Sequence, residues 1–303
     1  VVMTRQRIVV IGAGVNGMSI ARSLAAREGG DVTVFERNTV ASGMTGKSSS
    51  VVRCHYGVQS LAVMAWRSLP LIEQLGDEVG FRQVGYLVIV GEANADPLRA
   101  NVSALQGVGI EAEMVSIDEA GALWPFMDTG DLAAAAYEPR GGFADASRLA
   151  TWFHAAARDA GAVVRQGEGV ARLLTRGDRV TGVELASGEV VEADVVVVAA
   201  GWWSGDLLAS VGVQAPIESL RNVMMLLDSG RSLEELAELP VLSDLEERQY
   251  IRTEGSGHVL IGNSDHSSPT FASPDNYSNQ WSEFELERGV EKAARRLVGF
   301  PDA

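Results

Sequence analysis

The chain of 303 residues is 46% hydrophobic and 21% charged, which is typical of a folded enzyme and excludes a largely disordered chain. Its formal net charge of −15 argues against nucleic acid and anionic membranes as partners, because both would repel the protein at long range. The single cysteine, Cys54, excludes an internal disulfide and a cysteine-rich metal site, so we expect a cytoplasmic protein with no metal. The first apolar run is far too short for a spanning helix, so we expect no membrane span.

The first predicted elements form a strand–helix–strand motif. Residues 8–11 are a continuous β-branched run, the pattern of a parallel strand that is buried on both faces. The run leads into Gly12-Ala13-Gly14, and the apolar spacing that follows predicts a helix that begins at Val15 and ends near Gly29-Gly30. Residues 31–36 predict a second strand, which completes a motif of the size expected for a βαβ unit.

The middle of the chain is less regular. Residues 40–50 are rich in Gly, Ser and Thr and predict an ordered loop, because apolar helical sequence resumes near residues 61–66. Residues 85–90 predict a strand of a second lobe, and a helix is predicted around residues 98–106.

The second half of the chain predicts helices, a meander and a further buried strand. Asp145 is predicted to cap a helix that ends at Gly161, and another helix is predicted over residues 281–298. Four short strands are predicted to form an antiparallel meander, at residues 163–166, 169–175, 179–185 and 189–192. Residues 194–198 predict a return to the parallel sheet.

The glycines of the first motif have the spacing of a dinucleotide-binding turn. Gly12 permits the tight turn, Gly14 lets a pyrophosphate approach the backbone, and Gly17 lets the helix pack against the strand. Glu36, at the end of the next strand, is positioned to accept hydrogen bonds from a ribose. The pattern predicts dinucleotide binding rather than a structural turn, but by itself it does not separate NAD from FAD.

Five segments together resemble the D-amino-acid oxidase superfamily of FAD-dependent oxidoreductases, and within it the branch of sarcosine oxidase, sarcosine dehydrogenase and glycine oxidase. Each is degenerate alone, but their order and spacing are specific: residues 7–17, 36–37, 42–53, 142–145 and 199–204. The resemblance implies an α/β fold with an α+β second lobe, in which a Rossmann-type FAD-binding domain is interleaved with a substrate domain built on an antiparallel sheet. The expected FAD-binding domain comprises residues 1–80 and 141–215, and the expected substrate domain residues 81–140 and 216–303.

The resemblance also implies which residues hold the cofactor. Val15 and Asn16 would meet the pyrophosphate, and Glu36 and Arg37 the adenosine. The phosphates and the flavin edge would be contacted by the loop residues Ser42, Thr45, Lys47, Ser48 and Ser49. The remaining implied contacts are Gly201 by the pyrophosphate, the small Ala200 beside it, and the backbone of Val170 at the adenine. An apolar residue in a meander, such as Val170, is also expected in the core.

Arg53 resembles the arginine that clamps the substrate carboxylate over the flavin in sarcosine oxidases. A planar guanidinium grips a carboxylate with two charge-assisted hydrogen bonds and so orients the substrate. His55 and Tyr56 adjoin Arg53 and would shape the amine pocket. The alternatives are a solvent-facing or ion-paired arginine and a histidine that only packs, and Cys54 is expected to be an inert thiol.

Three departures from the family pattern qualify these expectations. The loop reads Thr45-Gly46-Lys47 where some relatives attach flavin through a histidine, so we predict non-covalent FAD. Leu260 stands where monomeric sarcosine oxidases carry an oxygen-activating lysine, which leaves a dehydrogenase open. Relatives continue past a helix like that of residues 281–298, so further chain or a partner subunit is expected to close the site.

The function expected from the resemblance is FAD-dependent oxidation of a small amino acid or secondary amine of the sarcosine, glycine, proline or D-amino-acid type. A hydride would pass to flavin N5, and oxygen or another acceptor would take the electrons. The alternatives are an FAD-dependent dehydrogenase of a hydroxy acid or polyol phosphate, and a flavin-binding, non-catalytic subunit of a larger complex.

Overall fold

The computed structural model describes residues 5–27, 29–267 and 269–299. Its strands, numbered in chain order, are β1 Arg7–Ile11, β2 Asp31–Glu36, β3 Val51–Val52, β4 Tyr86–Val90, β5 Glu113–Val115, β6 Ala134–Glu138, β7 Gly142–Phe143, β8 Val163–Gln166, β9 Val170–Arg176, β10 Arg179–Leu185, β11 Val190–Glu192, β12 Val195–Val198, β13 Leu220–Arg221, β14 Met224–Asp228, β15 Val241–Asp244, β16 Gln249–Glu254, β17 His258–Asn263 and β18 Thr270–Phe271. Its α-helices are α1 Val15–Ala26, α2 Gln59–Leu75, α3 Glu92–Gly107, α4 Ile117–Leu123, α5 Ala146–Asp159, α6 Ser204–Ala209, α7 Leu233–Leu236 and α8 Glu283–Arg296. Short 3-10 turns lie at Met44–Lys47, Gly76–Val79, Gly201–Trp203 and Gly255–Gly257.

The chain folds into two compact units, each built from several segments. The first unit contains the residues up to Ser48, Asp145–Ser219 and Ser273–Asp275. The second unit contains Ser49–Ala144, Leu220–Ala272 and the residues from Asn276 onward. Interleaved lobes were expected from the sequence.

The boundary expected at residue 80 differs from the structural one. Residues 49–80 cluster with the second unit because β3 pairs with β7 and because Glu73 of α2 forms a 2.6 Å ion pair with Arg140. Residues 141–144, which include β7, cluster with the second unit because of the same strand pairing. The assignment of the two units to FAD and to substrate stays a prediction.

The first unit is built on a four-stranded parallel sheet in the order β12-β1-β2-β8. The β-branched side chains of β1 are buried, as expected for a central strand. Helix α1 packs against α5, whose N-terminus is capped by the Asp145 carboxylate through the N–H groups of Ser147 and Arg148. The order places β1 between β2, the next strand in the chain, and β12, which comes much later, and such a switch in strand order is the point where ligands bind in open α/β sheets.

The meander predicted after α5 is smaller than expected. Strands β9, β10 and β11 form a three-stranded antiparallel sheet, but β8 pairs in parallel with β2. The assignment of residues 163–166 to the meander is therefore wrong. Two valines followed by two polar residues, Val163–Gln166, are compatible with both kinds of strand, and only the pairing partner distinguishes them.

The second unit is built on a seven-stranded sheet in the order β14-β17-β16-β15-β4-β6-β5. All neighbours are antiparallel except β15 and β4, so the expected antiparallel sheet is confirmed with one parallel pair. Its core includes Leu87, Ile89 and Trp124, whose indole N–H donates to the carbonyl of Pro240 at 2.8 Å. The α/β class and the α+β second lobe are thus both observed.

Two helices of the second unit extend beyond the sequence predictions, and a third is shorter. Helices α2 and α3 include the predicted cores at residues 61–66 and 98–106 but begin earlier, and α8 is slightly shorter than predicted. Within the described ranges, no helix has both the length and the apolarity needed to cross a membrane.

Candidate functional site

The glycine turn after β1 has no room for other side chains. Gly12 has a φ of +101°, and a Cβ there would lie 2.5 Å from the carbonyl oxygen of Ala199. A Cβ on Gly17 would lie 1.9 Å from the carbonyl oxygen of Gly12. Glycine is therefore required at both positions for backbone to pass this closely.

The N-terminus of α1 is open to an anionic group. Gly14 is the N-cap residue and carries no capping side chain, so the first-turn N–H groups of Asn16 and Gly17 face out of the helix end. The Val15 N–H donates to the Thr45 hydroxyl at 3.1 Å, the nearest atom to a Cβ added at Gly14. This cradle of N–H groups and helix dipole fits a pyrophosphate.

The Glu36 carboxylate is held beside the glycine turn. Its Oε2 accepts the Ala13 N–H at 2.9 Å, and its Oε1 accepts the Asn38 N–H at 2.9 Å. Each carboxylate oxygen has a second lone pair, so the group can still accept hydrogen bonds from ribose hydroxyls. The uncapped helix, the tight turn and this carboxylate together fit the adenosine diphosphate half of FAD.

Arg37 is oriented by two partners that the sequence did not indicate. Its guanidinium stacks on Trp203 at 3.9 Å and pairs with Asp275 at 2.7 Å. The Trp203 indole N–H also donates to Asp275, and these two hydrogen bonds hold the pKa of Asp275 below its usual value. A Cβ at Gly169 would touch the Cβ of Arg37, which places the neighbouring Val170 at the same end of the first unit.

The loop after β2 returns to the glycine turn. The Ala41 N–H donates to the Ala13 carbonyl at 3.1 Å, and the Thr45 hydroxyl accepts the Val15 N–H. Part of the segment predicted as irregular is a 3-10 turn, Met44–Lys47. The predicted phosphate-side residues Ser42, Lys47 and Ser48 are exposed on this loop. Ser49 lies in the second unit, where its carbonyl accepts from Arg252 at 2.9 Å.

The remaining predicted cofactor residues lie at the ends of strands β12 and β9. Ala200 packs against the core of the first unit, and Gly201 has a φ of +56° with open space around its Cα. Val170 also packs against this core, as expected for an apolar side chain in a meander. A contact between its backbone and adenine stays a prediction.

In the second unit, Arg53 lies between aromatic rings. Its guanidinium carbon is 4.2 Å from the ring centre of Tyr56 and 5.6 Å from that of Tyr86, and its Nη1 donates to the carbonyl of His55. A carbonyl and two ring faces engage the guanidinium without neutralising its charge. The five N–H donors of the group exceed what one carbonyl can accept, so further acceptors can bind.

His55 is largely buried, and Nε2 is its ring nitrogen with a hydrogen-bond partner among the described residues. Asn101 Nδ2 lies 3.0 Å from Nε2, and since an amide nitrogen only donates, the proton of the neutral ring is on Nδ1. Nδ1 faces Oε1 of Glu138 at 3.7 Å. Burial, and then the charge of Arg53, lower the pKa of His55 to about 4, so the ring is neutral at physiological pH.

Glu138 was missed by the sequence reasoning. Its side chain is only 4% exposed, its Oε2 accepts the Cys54 N–H at 2.8 Å, and burial raises its pKa to about 7. Tyr86 lies directly opposite Glu138 in the β4–β6 pairing. An acidic residue that ends the apolar run of residues 134–137 was the available signal.

Two further expectations concern Cys54 and metal ions. Cys54 is buried, and desolvation raises the pKa of its thiol to about 12, which agrees with an inert cysteine. In the part of the chain that the structure describes, no three His, Cys, Asp or Glu side chains converge in a way that could hold a metal ion.

The sequence matches the family described as FAD dependent oxidoreductase (DAO) over residues 7–302. The chain belongs to this family. The resemblance inferred from the five segments is therefore confirmed, and FAD is the cofactor of the family. The presence of the glycine turn, the open helix end and Glu36 in one unit agrees with that cofactor.

Relatives in the DAO family include large enzymes. The chain is 30% identical to 4-methylaminobutanoate oxidase (formaldehyde-forming) of Paenarthrobacter nicotinovorans over 86% of its own length and 32% of that protein. It is 26% identical to mitochondrial dimethylglycine dehydrogenase of Homo sapiens, covering 97% of this chain and 36% of the relative. The chain thus spans about a third of the length of these relatives.

A solved structure with the same fold is that of L-proline dehydrogenase from P. horikoshii. The two superpose with a TM-score of 0.85 at 23% identity, covering 97% of this chain and 77% of the other. At this identity the similarity is one of fold.

Proposed function

We propose that this DAO-family chain oxidises an amino acid whose amine is secondary or tertiary, with Arg53 binding the substrate carboxylate. The observation that carries the proposal is the Arg53 guanidinium, stacked on Tyr56 and Tyr86 while its charge is not neutralised by its carbonyl partner. Two of its N–H groups can grip a carboxylate in one plane, and the rings restrict the rotation of that plane.

The names of two relatives support an N-methylated substrate. 4-Methylaminobutanoate and dimethylglycine both combine a methylated amine with a carboxylate. FAD, when bound, would accept the hydride that leaves the carbon next to the amine nitrogen. The side chains of the second unit would bind and orient the substrate. Water would then hydrolyse the resulting imine (iminium ion for a tertiary amine), which releases a carbonyl compound and an amine from an N-methylated substrate.

Anaerobic reduction of the purified, FAD-loaded protein tests the proposal. We expect flavin absorbance to bleach with dimethylglycine, sarcosine, 4-methylaminobutanoate or proline. Dimethylglycine, sarcosine and 4-methylaminobutanoate are matched by the amines that lack the carboxylate, which are trimethylamine, dimethylamine and N-methylpropylamine. These amines should reduce the flavin far more weakly. Bleaching only by a hydroxy acid or polyol phosphate would overturn the proposal, and no bleaching by any compound would indicate a non-catalytic subunit.

Replacement of Arg53 separates carboxylate binding from general damage. Arg53→Met should raise the substrate KM about 10- to 100-fold, because a charge-assisted pair contributes about 1.5–3 kcal/mol. Arg53→Lys should recover part of the loss. Arg82→Met removes an exposed arginine of the same unit and should leave KM unchanged. Equal KM values in Arg53→Met and wild type would exclude Arg53 as the clamp.

Four expectations stay predictions. They are non-covalent attachment of FAD, the use of oxygen or another electron acceptor, a partner subunit, and a cytoplasmic location. Leu260 is buried within β17, paired opposite Leu226 and Arg252, so the position compared with the oxygen-activating lysine is apolar. Stopped-flow reoxidation of the reduced protein tests the electron acceptor, since a slow reaction with oxygen is expected of a dehydrogenase.

A further inference from the structure

We propose that Glu138 is the buried counter-ion of Arg53 and takes up a proton when a carboxylate ligand binds the Arg53 guanidinium. The inference depends on the proposed function, since it requires that Arg53 be the carboxylate site. It assigns a role to a residue outside the segments that carry the family resemblance.

The backbone between the two charged groups connects them. Glu138 Oε2 accepts the Cys54 N–H at 2.8 Å, and the carbonyl of the following residue, His55, accepts from Arg53 Nη1. Tyr86, opposite Glu138 on the neighbouring strand, also faces the guanidinium of Arg53. The Glu138 carboxylate and the Arg53 guanidinium are thus both hydrogen-bonded to the backbone of residues 54–55, although Glu138 is 84 residues from Cys54 in the sequence.

The other groups near Glu138 do not supply its counter-charge. His55 is neutral at physiological pH, as argued above, and Cys54 and Tyr86 hold their protons because burial raises the pKa of both. Tyr56 is stacked on Arg53. Arg140, two residues after the end of β6, forms ion pairs with the carboxylates of Glu73 at 2.6 Å and Glu111 at 3.1 Å.

Arg53 is therefore the cation that favours the ionised form of Glu138. Burial raises the pKa of Glu138 to about 7, while the N–H of Cys54 and the charge of Arg53 act in the opposite direction. A carboxylate on Arg53 cancels that charge, so the pKa of Glu138 rises further and the carboxyl group gains a proton. By linkage, protonated Glu138 leaves Arg53 uncompensated and strengthens carboxylate binding.

The sign of the pH dependence follows. At pH 7 Glu138 is about half protonated in the free protein, so binding should take up as much as about half a proton. Above pH 7 the ligand affinity should fall by up to about tenfold per pH unit, until the pKa of the complex is reached. Neutral His55 and a fully ionised ligand contribute no protons in this range.

Calorimetry of the FAD-loaded protein with isovalerate tests the inference. Isovalerate is the carbon analogue of dimethylglycine, has no amine to oxidise, and is matched by the uncharged isovaleramide. Titrations in phosphate and in Tris, whose ionisation heats differ, report the protons taken up. We expect uptake with isovalerate in wild type, together with weaker binding as pH rises from 7 to 9.

Matched variants identify the group that gains the proton. Glu138→Gln keeps an oxygen for the Cys54 N–H and should abolish both the uptake and the pH dependence. Glu246→Gln is the control, since Glu246 also accepts a backbone N–H, that of Gly91 at 2.7 Å. It should behave as wild type.

The outcomes separate the two proposals. Isovalerate binding that requires Arg53 but takes up no proton, or uptake that persists in Glu138→Gln, overturns the counter-ion role and leaves the carboxylate clamp intact. Absent binding to wild type, or equal binding to Arg53→Met, overturns both. If Glu138→Gln does not fold, the wild-type titrations in two buffers still decide, because the absence of uptake contradicts the inference.

Discussion

The backbone N–H of Ala13 donates to the Glu36 carboxylate at 2.9 Å, so the residue between the first two glycines of the turn is bonded to the acidic residue that ends β2. This bond joins two parts of the nucleotide-binding pattern that are 23 residues apart. The carboxylate thereby has a fixed position before any ribose arrives, which reduces the entropy lost on binding.

Glu36→Gln should weaken FAD binding about 10- to 100-fold. The substitution removes the charge that strengthens hydrogen bonds from ribose hydroxyls, worth about 1.5–3 kcal/mol, and turns an amide N–H₂ toward the Asn38 or Ala13 N–H. Titration of the apoprotein with FAD, followed by quenching of flavin fluorescence, measures the change. Glu234→Gln, at an exposed position on α7, is the control, and equal affinities in both variants would contradict the ribose role of Glu36.

Gly17→Ala should destabilise the fold and release FAD, whereas Gly205→Ala should not. The new Cβ at position 17 would lie 1.9 Å from the Gly12 carbonyl oxygen, so the helix must move away from β1 at a cost of about 1–3 kcal/mol. Gly205 lies in α6 with no atom within 4 Å of an added Cβ, and alanine there should add up to about 1 kcal/mol of stability. Urea unfolding with FAD content measured at the same time reports both effects, and similar free energies of unfolding for the two variants would disprove the argument.

Glu138 and His55 should contribute opposite pH dependences to the free energy of unfolding. The pKa of Glu138 is raised from 4.5 to about 7, so its stabilising contribution is present below pH 4.5 and is lost as pH rises to 7. The pKa of His55 is lowered from 6.5 to about 4, so its contribution is lost as pH falls from 6.5 to 4. Each shift corresponds to about 3 kcal/mol.

Chemical denaturation from pH 4 to 8 tests this pair. Relative to wild type, Glu138→Gln should gain stability as pH rises from 4.5 to 7, and His55→Gln should gain stability as pH falls from 6.5 to 4. Curves that run parallel to wild type at every pH would show that neither group titrates as its burial requires.

Cys54 should resist thiol reagents in the native protein. Burial raises the pKa of its thiol to about 12, so the reactive thiolate is scarce at pH 8. Because Cys54 is the only cysteine, reaction with a disulfide reagent reports on it alone. We expect a rate about 100-fold or more below that of the urea-unfolded protein, and comparable rates would mean that the loop around Cys54 opens readily.

Much of the first unit could be predicted from the sequence. Strands β1 and β2, helix α1 and the turn between them follow from local rules, because a β-branched run favours a buried strand and only glycine fits at Gly12 and Gly17. The error at residues 163–166 arose because strand patterns do not specify a partner. The boundary predicted at residue 80 and the boundary of the compact unit at Ser48 differ for the same reason, since β3 pairs with a strand far along the chain.

The sequence by itself determined the glycine turn, the family and the prediction for Arg53, since each depends on short motifs and on their order along the chain. Only the tertiary structure placed Asp275 on Arg37, 238 residues away, and Glu138 beside Cys54 and His55. Their roles depend on burial and on distances between charges, which fix the pKa of a carboxyl group and which no local pattern encodes. In the sequence Glu138 is an ordinary acidic residue at the end of a strand. In the fold its carboxylate is buried, and Arg53 is the cation that we propose as its counter-ion.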